Sequence, residues 1–215
     1  AIGSALLLSI GSPAYADATP ECNDGAGTGS TECGSDSDTG TANNATAVGN
    51  GAEANVDDGA TAVGESSSAS GASSTAVGQS ASATGEGSIA AGESSSASGI
   101  TSTAVGSQAT ASGDDGVAIG ESATASGLNS TSVGSESQAT EAGSTAIGWQ
   151  SSATGVRAQA FGHLASASGE RSLAVGEGAS ASGMTSVAIG NLASATMTDA
   201  VAIGDQAMAL GTNST

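Results

Sequence analysis

The sequence predicts an all-β fold, a parallel β-solenoid built from coils of 14 residues, and three observations predict it. A Thr/Ser-Ala-Val/Ile-Gly motif, with small variations, ends at Gly49, Gly64, Gly78, Gly92, Gly106, Gly120, Gly134, Gly148, Gly162, Gly176, Gly190 and Gly204; after a first interval of 15, every interval is 14. Half a period later a second glycine follows an Ala-Ser or Ala-Thr pair, at Gly71, Gly85, Gly99, Gly113, Gly127, Gly155, Gly169, Gly183 and more loosely Gly211, with Glu141 and Met197 breaking the series. The composition is the third: 34 Gly, 2 Pro and 1% aromatic residues in 215, with Ala supplying much of the apolar share. Such a chain cannot fill a broad core, so its interior must be thin.

Two short strands and two Gly-centred turns per repeat give one coil, and each coil stacks on the last. Helices are excluded because the period is not near 3.6 and the glycine density would cost about 1 kcal/mol per residue. Disorder is disfavoured because a polar low-complexity tract has no reason to hold register through so many repeats. Twelve coils at ~4.8 Å each give a rod of roughly 55 Å.

Residues 1–16 read as a truncated secretory signal peptide. Leu6-Leu7-Leu8-Ser9-Ile10 is too short to span a bilayer, and Pro13 precedes the small-x-small triplet Ala14-Tyr15-Ala16, placing cleavage after Ala16. Residues 17–44 form a polar segment without hydrophobic periodicity, a linker or cap. It holds Cys22 and Cys33, the only two cysteines, and export makes a disulfide between them the expected use. Residues 45–215 carry the repeats.

Side-chain parity sorts each coil into faces. In the second strand Ala81/Ala83, Ala109/Ala111 and Ala165/Ala167 fall on one side, and Ser82/Thr84, Thr110/Ser112 and Ser166/Ser168 on the other. The small apolar set is expected inside, with the hydroxyls outside. In the first strand the matching inward column is Ala62, Ala76, Ala104, Ala118, Ala146, Ala174, Ala188 and Ala202. The opposite side of that strand then carries Val63, Val77, Val105, Ile119, Val133, Ile147, Phe161, Val175, Ile189 and Ile203. Pointing outward, this stripe exceeds what a soluble monomer normally exposes, and self-association is the simplest cover. Parity fixes the two sets but not their direction; in the alternative, Val and Ile fill the roll and Ala faces solvent.

The Ser-Val-Ala-Ile-Gly of Ser186 to Gly190, with Ala-x-Ala-x-Gly half a repeat later, resembles the head of the YadA-like trimeric autotransporter adhesins, and the resemblance covers Ala45 to Thr215. It implies a left-handed parallel β-roll, a homotrimer of rolls around one axis, and display at the cell surface, on an outer membrane. It also implies attachment to a host matrix protein, a glycan or an abiotic surface. No heptad stalk and no amphipathic anchor strands follow the last repeat here, so direct membrane insertion is not expected of these residues. An ice-binding or purely structural surface solenoid is the alternative.

Other chemistry finds little support. With 2 Lys+Arg against 21 Asp+Glu and a net charge of -19, general attraction to nucleic acid or to an anionic membrane is excluded. No nucleophile sits in a distinctive setting beside His163, the sole histidine, so neither catalysis nor a cofactor is expected. Asp57-Asp58 and Asp114-Asp115 lack the Gly-Gly-x-Gly-x-Asp repeat of calcium-binding β-rolls, and no metal site is assigned. One stretch departs from the repeat. Trp149, Phe161, His163 and both arginines, Arg157 and Arg171, lie within 23 residues. Trp149 and His163 occupy one turn position of adjacent coils and are expected to stack; Arg157 and Arg171 are neighbours at the other turn. The two pairs are candidate ligand contacts, with drift at tolerant turns as the alternative, and Phe161 belongs to the apolar stripe.

Overall fold

The computed structural model describes residues 22–215; the leader expected over 1–16 lies outside them. Every regular element among the described residues is a strand of two or three residues. The first sheet stacks β2 (Thr31–Cys33), β3 (Thr46–Val48), β4 (Thr61–Val63) and then every second strand from β6 (Thr75–Val77) to β24 (Val201–Ile203), all in parallel. The second runs from β5 (Ser68–Ala69) to β25 (Met208–Ala209), likewise parallel. Register is uniform at one repeat: Thr103 pairs with Val117, Ala104 with Ala118 and Val105 with Ile119.

The turns explain the glycines. The column that closes the first strand, from Gly34 to Gly204, holds φ between 128° and 139°, a region that an L side chain rarely enters. Two residues further on, and again after the second strand, each coil passes through the left-handed region, mostly with non-glycine residues at φ 52° to 58°. These turns are held because their amides donate to the coil before: Ser66 to Asn50 O and Ser80 to Glu65 O, both at 2.8 Å.

Alanine fills the roll. Ala62, Ala76, Ala104, Ala118, Ala146, Ala174 and Ala188 are all fully buried, as are Ala83, Ala111 and Ala167 in the facing strands. The hydroxyl side of the second sheet is outside, and so is the Val/Ile stripe. The alternative with alanine facing solvent is thereby excluded. Serine shares three interior columns with alanine, one of them only through Ser132, whose hydroxyl pairs with that of Ser137 at 2.7 Å. At the second-strand entrance Ser67, Ser95, Ser137 and Ser151 donate to the carbonyl three residues earlier, at 2.7 to 2.9 Å. At the first-strand entrance the hydroxyls of Ser74, Ser88, Ser102, Ser130 and Ser172 are buried without a partner.

The rod begins one coil before Ala45. Thr31–Cys33 pairs in parallel with Thr46–Val48, and the bridges Asp38–Glu53 and Glu53–Ser68 extend the second sheet. This raises the coil count from twelve to thirteen, a length of roughly 60 Å. Ahead of it β1 (Cys22–Asp24) lies antiparallel on β2, with Cys22 disulfide-bonded to Cys33. The antiparallel strand covers the edge that a bare first coil would expose. Glu32 stands in the alanine column, opposite Ala47, and is 4% exposed; its carboxylate accepts from Thr39 N at 2.8 Å and Thr39 Oγ1 at 2.7 Å.

Glu141 and Met197 show how a coil accepts a side chain in the second glycine column. At most glycines of that column the preceding residue and the glycine itself share one acceptor: Ser112 N and Gly113 N both reach Ala125 O, at 3.0 and 3.3 Å, whereas at Gly127, the coil before Glu141, only Ser126 N reaches Ala139 O, at 3.0 Å. At the two exceptions only the first bond remains, lengthened to 3.2 Å for both Thr140 N to Ala153 O and Thr196 N to Ala209 O.

Candidate functional site

Four surfaces run along the rod, and the sequence sets the chemistry of each. The outer face of the second sheet is a ladder of small hydroxyls, Ser82, Ser96, Thr110, Thr124, Ser152 and Ser166, broken by Gln138 and ended by Met208. The outer face of the first sheet carries the apolar stripe. Val77, Val105, Ile119, Ile147 and Ile203 are exposed, Ile119 and Ile147 each by 40%; Val63, Val133, Phe161, Val175 and Ile189 are half-buried. Phe161 lies in register between Ile147 and Val175.

The two remaining surfaces are the narrow edges formed by the turns. On the edge that follows the first strand, Trp149 and His163 stack with ring centroids 4.6 Å apart and planes within 2° of parallel. The spacing is that of adjacent coils, so the backbone ladder itself sets the stack. Below it His163 Nδ1 stands 3.6 Å from Glu177 Oε1, on the next coil. Trp149 remains 51% exposed.

On the opposite edge Arg157 and Arg171 occupy successive left-handed turn positions, at φ 55° and 56°. Arg171 Nε lies 3.9 Å from Glu170 Oε1, with both side chains about half exposed, a pairing worth little in water. Topology therefore brings Trp149 to His163 and Arg157 to Arg171, and holds the pairs on separate edges. Beside Arg157 sits a notch that the repeat pattern does not announce, because its walls Leu128 and Val156 are 28 residues apart in one turn column. The signal was present as an apolar residue at every second coil of that column: Ile100, Leu128, Val156 and Met184.

The acidic first coils carry their own order. Asp58 accepts from Asn43 N at 2.7 Å and from Asn43 Nδ2 at 3.2 Å, and the backbone bond, then the side-chain bond, hold its carboxyl below the usual carboxylate range. No group of three or more His, Cys, Asp or Glu side chains among the described residues is placed to hold a metal ion. No helix among the described residues is long and apolar enough to cross a membrane.

No curated protein matches the chain. Among solved structures, the collagen-binding domain of the Yersinia adhesin YadA is 28% identical over 67% of this chain and 65% of that one, at a TM-score of 0.33. This chain thus spans just under two thirds of that domain. The model of the YadA head domain repeat, two copies long, matches in ten overlapping windows over residues 41–193 and in one more over 195–215, nearly all of the coiled region. The chain belongs to the YadA head-repeat family.

Proposed function

We propose that the chain is the head of a cell-surface adhesin, a non-catalytic rod that presents its outer faces and turn edges to a host matrix protein, a glycan or an abiotic surface. The family is one of structural adhesins, and family membership over the coiled region is the observation that carries the reading. The collagen named for the Yersinia domain falls within this class of target. Many weak contacts repeated along the rod, and again on each associated chain, would supply avidity.

The working form is a homotrimer in this reading, with Val63, Val77, Val105, Ile119, Val133, Ile147, Phe161, Val175, Ile189 and Ile203 buried between chains. The support is the outward direction of this stripe. Full burial of a Val or Ile is worth ~1.5–3 kcal/mol, so covering the two-fifths of Ile119 and Ile147 still exposed adds about 1 kcal/mol each. Five exposed positions of this kind, with smaller contributions from the five half-buried ones, add up to a firm association. Light scattering of the untagged chain after size exclusion tests it. A trimer is expected, and Ile119→Asp with Ile147→Asp is expected to yield monomer, because two carboxylates would be buried unpaired. A wild-type monomer removes the assembly, and an assembly indifferent to both changes removes the stripe from its interface.

A further inference from the structure

The edge opposite the Trp149–His163 stack holds a notch of about 200 Å³ lined by Leu128, Asn129, Ala142, Gly143, Val156 and Arg157. Its origin lies in one turn. The coils on either side present Leu128-Asn129 and Val156-Arg157 there, whereas the coil between presents Ala142-Gly143, which supply almost no side chain. The gap spans two coil spacings, roughly 9.6 Å between flanking backbones, and that is room for one side chain. Leu128 is 52% exposed and Val156 37%, so both walls are open to an incoming group.

The floor positions a charge. A Cβ added to Gly143 would stand 3.4 Å from Arg157 Cγ, so the arginine stem lies against the bare glycine, and Arg157 lines the notch. Arg157 makes no ion pair among the described residues, in a chain with 21 acidic side chains and two cations, and the other cation, Arg171, stands beside Glu170. A notch with two aliphatic walls, lined also by an arginine without a carboxylate partner, is complementary to a group with an apolar stem and an anionic end.

We infer that this notch binds a glutamate side chain of a partner polypeptide. Its methylenes lie between Leu128 and Val156, its carboxylate takes the Arg157 guanidinium, and the Asn129 amide on the far wall is the second donor. A sugar acid fits the walls less well, because it would turn hydroxyls onto Leu128 and Val156. The inference rests on the adhesin reading only for the existence of an external partner. A single contact of this size binds in the millimolar range, about 1 mM, and gains strength through repetition on associated chains.

The chain has two arginines, so a ¹H–¹⁵N spectrum of the arginine Nε–Hε groups contains two resonances and reports the site directly. The probes are acetyl-Gly-Glu-Leu-amide, the same peptide with Gln for Glu, and glucuronate. A saturable shift of the Arg157 signal with the Glu peptide is expected, at least tenfold weaker with the Gln peptide and absent at Arg171. Ala142→Leu, which places in this column the residue already present at Leu128, fills the notch without touching the charge and is expected to weaken the response at least tenfold. An equal response to the Gln peptide, or equal shifts at both arginines, overturns the proposal. A stronger response to glucuronate overturns the choice of a polypeptide, and loss of oligomer mass in Arg157→Gln reassigns the arginine to the contact between chains. Attachment of the unmodified head to matrix-coated surfaces is scored separately. Attachment without any Arg157 response overturns the notch alone; an Arg157 response from a head that attaches nowhere supports the notch and removes the adhesin reading.

Discussion

The two glycine columns exclude side chains for different reasons, and paired substitutions on neighbouring coils separate them. At Gly113, whose φ is ordinary, a Cβ would fall against the carbonyl group of Gly127 on the next coil, far inside contact distance. Taken rigidly, that clash would be prohibitive. Glu141 and Met197 show the relaxation instead: the shared bond to the next coil is absent, as it is at Gly127, and its companion, 3.0 Å at Gly127, stretches to 3.2 Å. One weak hydrogen bond and a small widening amount to ~1–2 kcal/mol, so Gly113→Ala is expected to cost about that much. At Gly106 a Cβ would stand 2.5 Å from Gly120 O and 2.6 Å from its carbon, and the residue also holds φ at +133°. No described coil places any other residue in that column. With backbone strain of ~1–3 kcal/mol added to the displacement, Gly106→Ala is expected to cost ~3 kcal/mol or more. Hydrogen exchange read by mass spectrometry resolves the difference, because a solenoid opens locally. Gly106→Ala should expose the coils around it while the ends of the rod stay protected, and Gly113→Ala should leave protection nearly intact. Equal loss in the two variants would refute the distinction between a steric column and a conformational one.

Two further outcomes follow from the interior and from the first coils. Replacing Ser88 by Ala, the residue found at the same position in Ala60 and Ala158, removes a buried hydroxyl without a partner and is expected to stabilise the chain by ~0.5–2 kcal/mol in denaturant unfolding. A loss of stability would mean that the hydroxyl is satisfied. Asp58 contributes to the first coils as a carboxylate whose folded pKa is depressed, so its contribution is present above the ordinary carboxylate range and is lost as pH falls through the folded value. The Asn43 amide proton shift should therefore titrate below that range, and Asp58→Asn should abolish the titration; persistence of the titration in the variant would assign it to another group.

Most of the architecture was legible because the repeat is strict. Parity placed Ala104 and Ala118 on one side of the strand and Val105 and Ile119 on the other, and adjacency at one turn position paired Trp149 with His163. What escaped the sequence lies where physical roles are filled by other residue types. The first coil hid in the polar segment because Glu32 occupies an alanine position and is satisfied by Thr39, so no apolar periodicity marks it. Direction could not be read from parity, since either set of a two-fold alternation can face inward. The structure decides: the alanine columns are buried and the Val and Ile column faces outward. The notch was missed for a different reason. It is formed by the small size of Ala142 and Gly143 between larger neighbours, and a motif search finds residues that are present rather than bulk that is missing.

Uniform register has a kinetic meaning. Outside the opening hairpin and the 15-residue first coils, each strand pairs with one 14 positions away, about 0.07 of the chain length, a relative contact order usual for helical bundles rather than for sheet proteins. The loop closed at each step is short and nearly constant, so adding a coil to an existing edge carries about the same entropic cost anywhere along the rod. A sheet protein built this way can fold by elongation from one edge, and the disulfide-bonded hairpin of β1 and β2 provides a finished edge on which such growth can start.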